Sequence, residues 1–293
     1  MANASAAGLR MPPMIYGTAW KTERTAGLVS QAIAAGFRGI DVACQPKHYN
    51  EPGVGEALSQ VFASGAIKRE ELFLQTKYTA IGGQDPARVP YDVSAPIEQQ
   101  VEQSLACSLR NLGVSYIDSV LLHSPLPTHA LTMRAWRVLE KAVEAGTVRQ
   151  LGISNTGLPQ LQQLYTDAVV KPSVVQQRFH APTGFERDMR AWCQTQGVAF
   201  QSFWTLSANN KPGQVMQSPT FLQLCRSHDL TPQELFYRFV MTVGICPLNG
   251  TTDQEHMASG MALLEMGPLP DKDVAIIEGL LSSIYEKLLQ QYM

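Results

Sequence analysis

Eight short apolar runs, each handing the chain on to an amphipathic helical pattern, leave few folds open to this sequence. "MIYGTAW" precedes a helical pattern near 23–35, and "FRGIDV" precedes one near 51–64. "LFLQTK" leads into "APIEQQVEQSLACSLRNLG", where Ile97, Val101, Leu105, Leu109 and Leu112 recur at the spacing of one helical face. "YIDSVLLH" is followed by a helical pattern near 131–145, "VRQLGISN" by "GLPQLQQLY", and "SVVQQ" by "ERDMRAWCQTQ". "VAFQSFW" is followed by helical patterns near 219–240, and "VGICPLNG" by two near 253–262 and 271–290. Strict alternation of strand and helix predicts a parallel sheet. Eight such units in 293 residues predict that the sheet closes into an α/β fold of the (β/α)8, or TIM, barrel class. No G-x-G-x-x-G follows any strand, which argues against an open dinucleotide-binding sheet. No Pro/Gly/Ser-rich linker divides the chain. One domain over 1–293 is expected, with the barrel proper over about 12–262 and a C-terminal helix over about 271–290.

With 45% hydrophobic and 16% charged residues, the chain has ample material for one large core. A net charge of −2 and the lack of a basic run give no electrostatic reason to expect nucleic acid or an anionic membrane as partner. No apolar run approaches the roughly 20 residues that span a bilayer. The N-terminal "MANASAAGLRMPP" has neither the basic start nor the apolar stretch of a secretory signal. Five cysteines (Cys44, Cys107, Cys193, Cys225 and Cys246) are scattered, odd in number and free of any C-x-x-C pair. Free thiols in a reducing cytoplasm are therefore expected, and no metal site.

A barrel of this class carries its chemistry at the C-terminal ends of its strands. Those ends here are Asp41, Lys77, His123, Ser154 with Asn155, Gln176, Phe203 with Trp204, and the stretch Asn249 to Thr252. Alone, a lysine there is leaving the core and a histidine is a satisfied structural residue. Together they set an acid, a base, an imidazole and amides around one mouth, and Tyr49 follows Asp41 by eight residues. A phenol near pKa 10 is a weak acid at neutral pH. An ammonium about 4 Å away interacts with a phenolate by about 4 kcal/mol at an effective dielectric near 20, so Lys77 is expected to lower the Tyr49 pKa. Asp41 would hold Lys77 charged and in place, and His123 would orient a substrate oxygen against the phenol. A positioned general acid contributes roughly 10² to 10⁴ in rate.

These residues resemble a family. "GFRGIDVACQPKHYNEPGVGEAL" is similar to the aldo-keto reductase signature G-[FY]-R-x-[IL]-D-T-A-x-x-Y-x-N-E-x-x-V-G-x-[AG]-[LI]. "GTAWK", "LFLQTK", "YIDSVLLHSP" and "GTVRQLGISN" resemble the family's other landmarks, in order. The resemblance implies a catalytic set of Asp41, Tyr49, Lys77 and His123, with hydride passing from a nicotinamide to a carbonyl carbon and Tyr49 donating the proton. It implies that Thr18, Ser154, Asn155, Gln176, Phe203, Leu206, Asn249, Gly250, Thr251 and Thr252 bind the cofactor. Ser154, Asn155 and Gln176 would hold the carboxamide, Phe203 would stack on the ring, and Leu206 would lie in the loop over the pyrophosphate. Trp20, Ser124 and Trp204 are expected in the substrate pocket. The implied cofactor is NADPH, with NADH as the open alternative. The implied partner is a small carbonyl compound, and a monomer is the default.

The chain also departs from the family pattern. Seven residues separate Asp41 from Tyr49, more than the signature allows, and Val175 precedes Gln176 where an Asn is frequent. Ser124 stands where many members carry a tryptophan. At the eighth strand, Leu248 and Gln254 replace cations that grip a 2′-phosphate, and Gly250, Thr251 and Thr252 offer a helix N-terminus as an anion site instead. The 79–92 segment, with Arg88 and Tyr91, is equally a substrate loop or a surface excursion, and His48 is expected to be a solvated loop residue. Two alternatives to carbonyl reduction stay open. One is reduction of an imine or enone; the other is a cofactor-binding regulatory subunit like the β-subunits of potassium channels.

Overall fold

A computed structural model describes residues 11–291; the N-terminal stretch weighed as a signal sequence falls mostly outside them. Eight strands form a closed parallel barrel in sequence order: β1 (Ile15–Gly17), β2 (Gly39–Asp41), β3 (Phe73–Tyr78), β4 (Ile117–Leu122), β5 (Val148–Ser154), β6 (Val174–Arg178), β7 (Ala199–Phe203) and β8 (Ile245–Asn249). β8 closes on β1 through Ile15 opposite Leu248 and Tyr16 opposite Asn249. The first five helices are α1 (Thr25–Ala34), α2 (Glu51–Ala63), α3 (Ile97–Leu112), α4 (His129–Glu144) and α5 (Leu158–Asp167). The others are α6 (Arg187–Gln196), α7 (Pro219–His228), α8 (Pro232–Thr242), α9 (Gln254–Ala262) and α10 (Asp271–Gln290). All eight expected strands are present, and every expected helical stretch forms. No described helix is long and apolar enough to cross a membrane.

Strands buried on both faces explain the nearly continuous apolar runs. Outward-facing Leu74, Val120, Ile153, Val175 and Phe200 join the large core under the helices. Inward-facing Ile15, Phe73, Leu121, Val174, Ala199 and Cys246 pack with Met11 into a small core inside the barrel. Side chains alternate along a strand, so in β3 the residues that share the inward face with Phe73 are Gln75 and Lys77. The interior therefore passes from apolar to polar along its axis, and ends in charge.

Local sequence sets the helix ends. Thr128 and Ser218 cap α4 and α7 through their hydroxyls, and Thr231 with Glu234 makes a reciprocal capping box on α8. α3 ends at Gly113, whose left-handed backbone (φ 67°) lets Val114 turn directly towards β4.

Candidate active site

Asp41 ends β2 and Lys77 lies near the end of β3, both buried. The Lys77 Nζ donates to both Asp41 oxygens, at 2.7 and 2.6 Å, and to the Val42 carbonyl at 2.9 Å. All three protons of an ammonium are thereby committed. Burial pushes the Lys77 pKa down and the Asp41 charge opposes it. Three glutamines support the pair from the barrel axis. Gln75 and Gln201 exchange reciprocal amide bonds of 2.7 and 3.0 Å. Gln75 and Gln176 both donate to Asp41 Oδ1, at 2.7 and 3.1 Å, and Gln176 also donates to Gln201 Oε1 at 2.8 Å. Gln75 and Gln201 went unnoticed in the sequence. The available signal was a polar residue on the inward face of an otherwise apolar strand.

The long loop after Asp41 still delivers Tyr49. Cys44 continues the sheet briefly, bridging to Tyr78 and donating its N–H to the Lys77 carbonyl. A turn then draws the chain in, with the His48 and Tyr49 N–H groups both bonded to the Gln45 carbonyl at 3.1 and 3.0 Å. Asn50 caps α2 by accepting from the Gly53 N–H. Buried Glu51 accepts from Thr76 and Ser108 at 2.7 Å each and from Asn111 at 3.2 Å, which ties the loop to β3 and α3. Gly55 lets α2 approach that close: a Cβ there would lie 2.1 Å from the Asn111 carbonyl oxygen. The Tyr49 ring centroid ends 5.2 Å from Lys77 Nζ and 6.0 Å from the His123 ring, edge to face.

The expected lowering of the Tyr49 pKa does not occur. Burial raises it, and the Asp41 carboxylate raises it further. Asp41 neutralises the lysine at contact distance, so little of its charge reaches the phenol, and Tyr49 stays protonated. His123 Nδ1 lies 2.6 Å from Thr79 Oγ1. Burial, then the Lys77 charge, lowers the His123 pKa to about 3, so the imidazole is neutral. With Thr79 as donor, the imidazole proton sits on Nε2. Thr79 opens the 79–92 segment, which buttresses the site from behind. The Tyr91 hydroxyl and the Gln84 amide both donate to the Thr79 carbonyl, at 2.8 and 3.0 Å, and Arg88 pairs with Asp85 at the surface.

A cavity of about 860 Å³ opens above these groups, and Asp41, Tyr49 and His123 line it. Ser154, Asn155, Gln176, Phe203, Leu206, Asn249, Gly250, Thr251, Trp20 and Trp204 also line it. Four expected residues do not, the first being Lys77, which is buried and bonded to Asp41. Thr18 is wholly buried, with its hydroxyl donated to the Asp41 carbonyl, while Ser124 and Thr252 are exposed outside the cavity. His48 is no free loop residue: it lines the cavity and packs on Trp20 at 3.8 Å between centroids. Beside the expected anion site at 250–252, the Asp253 carboxylate caps α9 by accepting from the Glu255 and His256 N–H groups, and the Thr251 N–H is bonded to Asn249 Oδ1. Lys21 and Arg178 line the cavity without having been singled out in the sequence; the Lys21 ammonium donates to the Gly250 carbonyl.

The groups beside the imidazole suit a primary carboxamide. Ser154 donates to the Gln176 carbonyl, and Asn155 donates to the His123 carbonyl and to Ser154 Oγ. Gln176 spends both amide protons inside the barrel. Asn155 Oδ1 and Gln176 Oε1 receive no hydrogen bond from any described residue, which leaves two acceptors for the two N–H groups of a carboxamide. The half-buried Phe203 ring adds an apolar wall.

The Aldo/keto reductase family profile matches residues 13–282. The chain belongs to the aldo/keto reductase family. Members are NAD(P)H-dependent oxidoreductases. It is similar to methylglyoxal reductase DkgA of Yersinia pestis, with 30% identity over 240 residues that cover 81% of this chain and 78% of the relative. Aldo-keto reductase AKR2E4 of Bombyx mori is 26% identical over 290 residues, covering 92% and 89%. The crystal structure of that silkworm reductase in complex with NADP superposes with a TM-score of 0.81 at 24% identity, covering 96% and 92%. An aldo/keto reductase from Brucella melitensis superposes with a TM-score of 0.78, also at 24% identity, covering 96% and 99%. These structures share the barrel fold over 96% of this chain.

Proposed function

We propose that the cavity reduces aldehydes or ketones, with Tyr49 as proton donor and Asp41, Lys77 and His123 as its setting. The observation that carries this is their convergence: a buried ion pair, a protonated phenol and a neutral imidazole meet at one cavity wall beside two free amide oxygens. NADPH, when bound, supplies the hydride to the carbonyl carbon. Asn155, Gln176 and Ser154 would hold its carboxamide, Phe203 its ring face, and Leu206, Gly250 and Thr251 the remainder. The reductase crystallised with NADP from silkworm supports NADPH as that cofactor. His123 Nε2–H and the Tyr49 hydroxyl fix the substrate oxygen, and the proton passes from the phenol to that oxygen as charge develops there. The raised phenol pKa keeps that proton in hand across the neutral range. Lys77, with no free N–H, gives up no proton itself and keeps the Asp41 charge paired near the phenol.

Trp20, Trp204 and His48 would form the outer wall of the substrate pocket. The Yersinia relative is named for methylglyoxal, a small dicarbonyl and a suitable first substrate. Five cysteines, none of them in a disulfide, support a reducing compartment, the cytoplasm. Consumption of NADPH and NADH against methylglyoxal and a panel of aromatic and aliphatic aldehydes tests the proposal. Tyr49→Phe is expected to lose about 10²-fold or more in kcat while cofactor binding, followed by fluorescence, persists. Full turnover in that variant would remove Tyr49 as the donor.

A further inference from the structure

One charged group at the cavity has no hydrogen bond or ion pair to any described residue. Arg178 ends β6 opposite Phe203 and lines the cavity. Its guanidinium lies over the Trp204 ring at 4.1 Å and 5.7 Å from the Phe203 centroid. It donates no hydrogen bond to any described residue, and its Nε is buried without an acceptor. The other charges on the wall are spoken for. Asp41 is bound by Lys77, Glu234 accepts from Thr231, and Lys21 donates to the Gly250 carbonyl. The Arg178 charge is felt nearby: after burial, it is the second cause of the lowered His180 pKa.

The setting is pre-organised. Trp204 adopts a left-handed backbone (φ 56°), uncommon for a bulky residue, and holds its ring out beneath the guanidinium. A ring stacked on the face of a guanidinium restrains its plane and leaves the in-plane N–H edge open, the edge that matches a carboxylate fork to fork. The Arg178 Nη groups also have no acceptor among the described residues, and a ligand oxyanion in the cavity would supply one.

We propose that Arg178 is the oxyanion-recognition residue of this cavity, and that the favoured substrates are aldehydes or ketones that also carry a carboxylate. This rests on the carbonyl-reductase reading. The same edge would also accept a cofactor phosphate, and the test separates the two sources. 4-Formylbenzoate and its methyl ester share one aldehyde and differ in charge. Wild type is expected to favour the acid in kcat/KM, and Arg178→Met to lower the acid-to-ester ratio by about tenfold to a hundredfold. Arg178→Lys, which keeps charge but not the fork, is expected to fall between them, and circular dichroism checks that both variants fold. An unchanged ratio with NADPH affinity weakened by a similar factor would assign the oxyanion to the cofactor and overturn the substrate proposal. An unchanged ratio with unchanged NADPH affinity would also overturn it. If wild type reduces neither aldehyde, binding decides. Benzoate quenching of tryptophan fluorescence that disappears in Arg178→Met would uphold the oxyanion site, and equal quenching in both proteins would remove it.

Discussion

With its three protons spent on Asp41 and the Val42 carbonyl, Lys77 acts on the cavity through its field and not as a proton carrier. His123 is its counterpart, an imidazole that burial and the lysine charge keep neutral. An unfolded histidine titrates near 6.5, whereas the folded one titrates at about 3. Between those values the unfolded chain takes up a proton that the native site refuses, so stability rises with pH there. The contribution is complete above about pH 6.5 and is lost as pH falls towards 3. Urea unfolding followed from neutral pH down to about pH 4 is expected to show this loss, and His123→Asn to lessen the slope by up to one proton. An identical slope in that variant would place the acid sensitivity elsewhere. The meeting of Asp41, Lys77 and His123 at one end of the barrel was legible because strand ends can be read from hydrophobic pattern. The pKa of Tyr49 was not, since its sign depends on burial and on whether the lysine charge is free or already paired.

Among the connecting elements, the loop from Val42 to Asn50 and the start of α2 decide where the phenol stands. Sequence marked a helical pattern from near residue 51. It did not show that Glu51 is a buried clamp, because its partners Thr76, Ser108 and Asn111 lie 25, 57 and 60 residues away. Glu51→Ala strands two hydroxyls and an amide in the interior. A loss of about 3 kcal/mol in unfolding free energy is expected, read from denaturant midpoints, with faster amide exchange over 43–52. Native-like stability would show that Asn50 capping alone fixes the loop. The 79–92 segment had two even readings from its composition. Tyr91 and Gln84 hold the Thr79 carbonyl and neither lines the large cavity, whereas Arg88 lines an adjoining cavity of about 440 Å³ with Trp20, His48 and Tyr49.

At the scale of the whole barrel, alternation of strand and helix made the fold readable, with strand order following chain order around the sheet. What crosses the interior was not readable, because Arg178, Lys21 and the glutamines meet their neighbours only after closure. The same holds at the far wall of the cavity, where Leu248 stands at the position the family resemblance gives to a lysine and Asp253 fills the helix end. Leu248→Lys is expected to tighten NADPH by about tenfold and leave NADH nearly unchanged in fluorescence titrations, the worth of one charge-assisted bond. Equal gains for both cofactors would mean that the new charge does not meet the 2′-phosphate. The glutamine layer beneath Asp41 has a consequence for descent. Gln75 and Gln201 satisfy each other reciprocally, and Gln75 and Gln176 both donate to one Asp41 oxygen. Replacing Gln75 or Gln201 alone by an apolar residue leaves an unmatched amide group on the other, so a lineage can exchange those two only together.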